Sequence, residues 1–380
     1  MINTSQSSKS KIIRAITIAS LVIAQWSCAM NSQTKTVADS NNKRTDKIVI
    51  AHRGASGYLP EHSIASKAAA HAMGADYIEQ DVVMTKDDQL VVLHDPYLDR
   101  VTNVMEQFPD RSRDIFGQNR WLAIDFTLAE IKQLNMTEGF SLEDKTSKKI
   151  KGYSARFPLF KSSFKVSTLA EEIELIQGMN FSRGKDVGIY VEVKAPWFHH
   201  LEGKDISLAT LKMIKDYGYK NKSDKVYIQC FDPIETKRIK NKVMPKLNVD
   251  YKLIQLIAET SWGETMQLKE GKLVAYNYDW LFKKGAMKKI AEYADGIGPW
   301  KSMLVSKESI QGNIVLSVMA KEANQLGLKM HPYTFRKDEG RIPDYAKDFD
   351  DLLDIFYNRV GVEGVFTDFP DLAVKFLEKD

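Results

Sequence analysis

Cysteine is almost missing from this chain of 380 residues. Only Cys28 and Cys230 occur, too few for a disulfide framework. Cys230 lies in the apolar run VYIQCFD and reads as a buried core thiol rather than a nucleophile. Long apolar runs are missing too. The block Ala15–Ala24 is too short to span a bilayer, and nothing after it comes closer. Preceded by Lys9, Lys11 and Arg14, that block reads as an export signal over residues 1–28. Small residues in Ser27-Cys28-Ala29 fit cleavage after Ala29. The alternative is lipidation of Cys28, for which Gln25-Trp26-Ser27 is a poor match because an aliphatic residue is expected first. Residues 29–46 are polar and read as a linker. The expectation is a soluble periplasmic protein that meets a membrane only if Cys28 is acylated. An excess of one charge is also lacking. The net charge is +4, and the signal carries three of the cations and no acid, so +1 remains without it. That balance gives no support to a nucleic-acid role, which usually shows a basic domain or patch. Strand spacing is irregular, with no internal repeat of fixed period.

The informative stretch runs from Ile48 to Asp95. The apolar run Ile48–Ala51 stops at His52-Arg53-Gly54. A second strand pattern carries Glu79 and Asp81 two residues apart, so both face one side of the strand. The third, Leu90–Leu93, ends in His94-Asp95. The polar link Thr85–Gln89 is too short for a helical crossover, so these two arms are antiparallel. A turn centred near Asp87 puts His94 opposite Gln80, within about one residue, and so at or beside the Glu79/Asp81 face.

Strand patterns then alternate with helical ones over 47–380. Outside the returning arm there are eight, at 48–52, 77–83, 188–194, 226–231, 253–257, 294–299, 328–333 and 362–367. Helical patterns include 64–73 with Ser63 as cap, a short piece after Thr127, 168–179, 204–217, 313–326 and 349–359. The fold expected is an α/β (β/α)8 TIM barrel with a small inserted subdomain at 98–167. His52, Glu79, Asp81, Glu192, Lys194, Gln229, Asp232, Trp300, His331 and Asp368 fall at or just past strand C-terminal halves, where such barrels build their sites.

Glu79, Asp81 and Glu192 are candidate ligands for one hard cation, Ca²⁺ first and Mg²⁺ second, since oxygen-only donors suit these ions. Zinc would need His52, His94 or the pair His199-His200. Adjacent histidines point apart, so 199-200 reads as surface. Arg53 and Lys194 add positive charge beside the cation, which makes an anion site with phosphate as the natural occupant. His52 and His94 then fit a general acid and general base for phosphoester cleavage, with the assignment between them open.

The segments HRGASGYLPEH, EQDVVMTKD, LVVLHD, EVKAPWFHH, QCFD, YADGIGP, HPYT and GVFTDFPD resemble the exported bacterial branch of the glycerophosphodiester phosphodiesterase family, from Lys47 onward. The resemblance implies a barrel with a small insertion, a Ca²⁺ site, and hydrolysis of deacylated phospholipids to sn-glycerol 3-phosphate and an alcohol. By position, His52 and His94 match the family's acid–base pair, Glu79, Asp81 and Glu192 its metal ligands, and Arg53 and Lys194 its phosphate contacts. His62-Ser63 departs from the usual Asn-Thr, and Glu61 is expected to brace that loop. Phe231 and Trp300 are candidate substrate contacts, and together with Trp197 and Phe198 could line the alcohol side. A homodimer is the expected oligomer. Two alternatives stay open: a surface lipoprotein that keeps the barrel as an adhesin-like scaffold, and a phospholipase of the same superfamily.

Overall fold

The computed structural model describes residues 46–143 and 148–379; the export signal, Cys28 and nearly all of the polar linker lie outside them. The eight strand patterns form one parallel sheet: β1 (Ile48–Ala51), β2 (Tyr77–Met84), β3 (Gly188–Val193), β4 (Val226–Cys230), β5 (Lys252–Ile257), β6 (Gly296–Pro299), β7 (Lys329–Met330) and β8 (Gly364–Thr367). Their order is β7-β6-β5-β4-β3-β2-β1-β8, so the first strand of the chain pairs with the last. The β7/β8 seam nearly closes the barrel through three backbone bonds. The Phe366 N–H donates to the Pro332 carbonyl at 3.0 Å, the Phe335 N–H to the Phe366 carbonyl at 2.8 Å, and the Asp368 N–H to the Phe335 carbonyl at 3.2 Å. Here the expected strand 328–333 falls short, because Pro332 has no N–H to give a ladder.

Helices follow the strands in turn. Helix α1 (Ile64–Ala72) starts at Ser63, whose side chain accepts from the Ser66 N–H. Helix α2 (Leu169–Arg183) opens with a Thr168/Glu171 capping box. The expected helix 313–326 begins only at Val318, because Ser317 caps it there and accepts from the Ala320 N–H. Residues 98–167 contain two small hairpins, Arg113–Ile115 with Gln118–Arg120 and Phe140–Leu142 with Lys149–Lys151, and short helical turns. They bury Leu98, Val101, Phe126, Leu134 and Met136 against Val83, Val91 and Leu93 of the β2 arm and its return. The expected hairpin is there: Val82 pairs with Val92 and Met84 with Leu90, antiparallel, and the same register extended places His94 opposite Gln80. Among the described residues no helix is long and apolar enough to cross a membrane.

The barrel interior is packed, not open. Tyr190 stacks on Tyr227 at 4.8 Å and meets Phe366 edge-on at 4.8 Å. Ile50, Tyr77 and Ile254 complete this layer. Only glycine fits at 188, since a Cβ there would lie 2.4 Å from the Tyr77 ring. His331 belongs to this plug and not to the mouth. It is wholly buried, and its Nδ1 and the Tyr190 hydroxyl are hydrogen-bonded at 2.9 Å.

Burial holds the His331 imidazole down at about 3, well below its value in an unfolded chain. The neutral form therefore stabilises the fold above about pH 6.5, and that contribution drains away as pH falls from there toward 3. Between pH 7 and 5 wild type should lose about 2 kcal/mol more than His331→Gln, at about 1.4 kcal/mol per pH unit. Denaturant midpoints at both pH values measure the difference; equal losses would remove His331 as the cause.

Candidate active site

Parallel register sets the acids side by side. Asp81 pairs with Glu192, and Glu192 with Gln229, across β2, β3 and β4. Neighbouring strands are about 4.8 Å apart, and Glu79 projects from the same strand face as Asp81. One carboxylate oxygen from each of Glu79, Asp81 and Glu192 lies within 4.8 Å of the others, and all three residues are buried. Burial and the neighbouring carboxylates push Glu79 well above its ordinary value and Glu192 up to about 8. For Asp81 burial acts upward, but the bond from His62 and the Lys194 ammonium outweigh it and keep the group ionised. His62 Nε2 lies 2.8 Å from Asp81 Oδ2, whereas Asp81 Oδ1 and Gln229 Oε1 are buried without a partner. Converging acids, unspent oxygens and an oxygen-only donor set fit a divalent cation. Lys194 Nζ meets Glu192 at 2.8 Å, and the Arg53 backbone N–H donates to Glu79 Oε2 at 2.8 Å. That amide points at Glu79 because Arg53 and Gly54 both take positive φ, +56° and +87°, turning the chain sharply after β1.

Each candidate imidazole has a carboxylate behind it. His52 Nδ1 lies 2.6 Å from Asp368 Oδ1, and His94 Nδ1 lies 2.7 Å from Asp95 Oδ1. Cations hold both carboxyls well below their usual range: Arg336 and Arg156 around Asp368, Arg100 beside Asp95. An ionised carboxylate only accepts, so each Nδ1 carries the proton and each Nε2 keeps a lone pair. Burial, then the Arg53 charge, lowers both imidazoles, His52 to about 4. Both line one cavity of about 270 Å³, together with Glu79, Asp81, Glu192, Arg53, Gln229, Phe231 and Trp300.

The glycerophosphoryl diester phosphodiesterase family profile matches residues 52–372. The chain belongs to this family. A glycerophosphodiester phosphodiesterase of Haemophilus influenzae is 51% identical over 361 residues, 94% of this chain and 97% of that protein. One of Treponema pallidum is 44% identical, over 88% of this chain and 93% of its own length. Two solved structures share the fold. A glycerophosphoryl diester phosphodiesterase from Silicibacter pomeroyi has a TM-score of 0.58 at 21% identity, over 88% of this chain and 93% of its own. An Oleispira antarctica phosphodiesterase in complex with the product sn-glycerol 3-phosphate has a TM-score of 0.55 at 18% identity, over 87% and 96%.

In this phosphodiesterase His52, Arg53, Glu79, Asp81, His94, Glu192, Phe231 and Trp300 meet at the barrel mouth, whereas His331, Trp197 and Phe198 do not. The Arg53 guanidinium is pinned by Glu61 at 2.8 Å, and Glu61 also binds Arg100, so Glu61 braces the loop as expected. Lys194 reaches the site through Glu192, with its ammonium 5.5 Å from the Phe231 ring centroid. Trp300 stands at the rim edge-on to Trp262. Trp197 and Phe198 turn away into a separate apolar groove with Phe116 and Leu201, because the chain enters a short helix at Pro196. The surface reading holds for His200 and fails for His199, which is buried and accepts from the Met84 N–H at 3.0 Å. Sequence reasoning assigned no role to Asp368, Asp95, Arg156 or Arg336. Asp368 and Asp95 each carried a signal, an acid directly after a strand end.

A divalent cation at about 100 times its Kd should stabilise the protein by about 2.7 kcal/mol, read as a rise of several degrees in Tm. Asp81→Asn and Glu192→Gln should each cancel most of that rise. An unchanged Tm for wild type across millimolar Ca²⁺ and Mg²⁺ would remove the cradle as a cation site.

Proposed function

We propose that this protein hydrolyses glycerophosphodiesters, the deacylated remnants of phospholipids, to sn-glycerol 3-phosphate and an alcohol, with Ca²⁺ as the resident cation. One observation carries the reading: two imidazoles, each with Nδ1 held by a carboxylate, share a cavity with a three-acid cradle. Close relatives named for this activity support it. Of the known ions Ca²⁺ is preferred because the donors are hard oxygens and it accepts irregular geometry, with Mg²⁺ second. Held by Glu79, Asp81 and Glu192, the cation supplies charge stabilisation for the phosphoryl oxygens.

The chain's own groups do the rest. Arg53, fixed by Glu61, presents its guanidinium to the phosphate. One imidazole takes the proton of the attacking oxygen at Nε2, while the other starts the step as imidazolium, protonated at both nitrogens, and gives its Nε2 proton to the leaving alkoxide. Asp368 and Asp95 keep each ring oriented and stabilise it while it is charged. Phe231 and Trp300 border the bound ester. The same reading includes export to the periplasm, supported by the cationic start and short apolar block of residues 1–28.

His52→Ala and His94→Ala should each lower turnover of a glycerophosphodiester by ~10²–10⁴. A loss under threefold would take that residue out of the chemistry. A chelator should abolish activity and Ca²⁺ restore it; inertness of the Ca²⁺-loaded protein toward every glycerophosphodiester would overturn the reading.

A further inference from the structure

A second cavity, of about 300 Å³, adjoins the first, and His52, Arg53 and Arg336 line both. Its far wall comes from the 98–167 segment, which contributes Arg100, Glu138, Phe140, Tyr153 and Arg156. Four guanidiniums face it, and each already has an acid. Arg53 is paired with Glu61, Arg100 with Glu61 and Asp95, Arg156 with Asp338 and Asp368, and Arg336 with Asp368. Glu138 is the acid left over. It is 5% exposed, and its Oε2 is buried with no hydrogen-bond partner. Burial, then Glu61 and Asp368, pushes this carboxyl up to about 8. Burial disfavours its charged form, and a cation seated in the adjoining void would displace the proton and pair with the carboxylate.

A phosphodiester has two arms. A diester with phosphorus beside His52 has one arm available for each of the two cavities that His52, Arg53 and Arg336 both line. We infer that the second cavity is the subsite for the leaving-alcohol arm, and that Glu138 favours arms carrying a positive charge, the amino alcohols ethanolamine and choline. This rests on the phosphodiesterase reading above. It gives the 98–167 segment a role in choosing substrates, while the barrel strands keep the chemistry.

The test compares glycerophosphodiesters with cationic arms (ethanolamine, choline) and neutral arms (glycerol, inositol), using the Ca²⁺-loaded full chain. Glu138→Gln keeps the shape and removes the charge. It should lower kcat/KM for the cationic esters about tenfold to a hundredfold, and change the neutral ones less than threefold. An equal response of the two classes, or no response, would overturn the subsite. Wild type gives a reading independent of the variant's folding. Its kcat/KM for the choline ester should exceed that for the uncharged 3,3-dimethylbutyl isostere at least fivefold, and equality would overturn the subsite. Normal turnover of the neutral esters in either case leaves the phosphodiesterase reading standing, whereas wild type inert on all esters overturns both.

Discussion

Three acids forced together in a buried place are the constraint on which this structure turns. Left alone, Glu79, Asp81 and Glu192 would repel one another and pay for lost hydration. The surrounding chain partly neutralises them. Lys194 lies against Glu192, the Arg53 amide against Glu79, and His62 against Asp81. Behind His62 the compensation runs deeper. Lys67 is wholly buried, 3.0 Å from His62 Nδ1 and 3.0 Å from Glu172, and donates to the Glu79 carbonyl. An ammonium only donates, so His62 Nδ1 accepts and Nε2–H is given to Asp81. One oxygen of Asp81 is thereby spent on its support and the other left for a cation, an arrangement typical of outer-shell partners at metal sites.

The imidazoles are served in a similar way by charge from further out. Asp368 would be an isolated buried anion without Arg156 and Arg336, and the half-buried Asp95 would have no guanidinium beside it without Arg100. These arginines come from the 98–167 segment and from the loop after β7. The segment that looks like an ornament on the barrel therefore supplies part of the electrostatic support for the rings at its centre.

Much of this was legible in the residues. Period-two alternation placed Glu79 and Asp81 on one face, and the length of the Thr85–Gln89 turn placed His94 against Gln80; both depend on local geometry alone. Asp368 was harder, because its partner His52 is 316 positions away and they meet only through the β1/β8 pairing. Glu138 gave no local sign either, since its isolation is a property of the arginines that other acids have already taken. His199 misled because two adjacent histidines leave open which one turns inward. His331 misled because Pro332 ends its strand early, and the ring falls into the aromatic plug instead of the mouth.

The pairing of first strand with last has a temporal side. Asp368 is translated 316 positions after His52, so a nascent chain that already carries both histidines and all three acids still lacks the group that orients His52 and the strand that pairs with β1. A fragment that stops short of β8 therefore keeps both histidines and all three acids and still carries an unfinished catalyst.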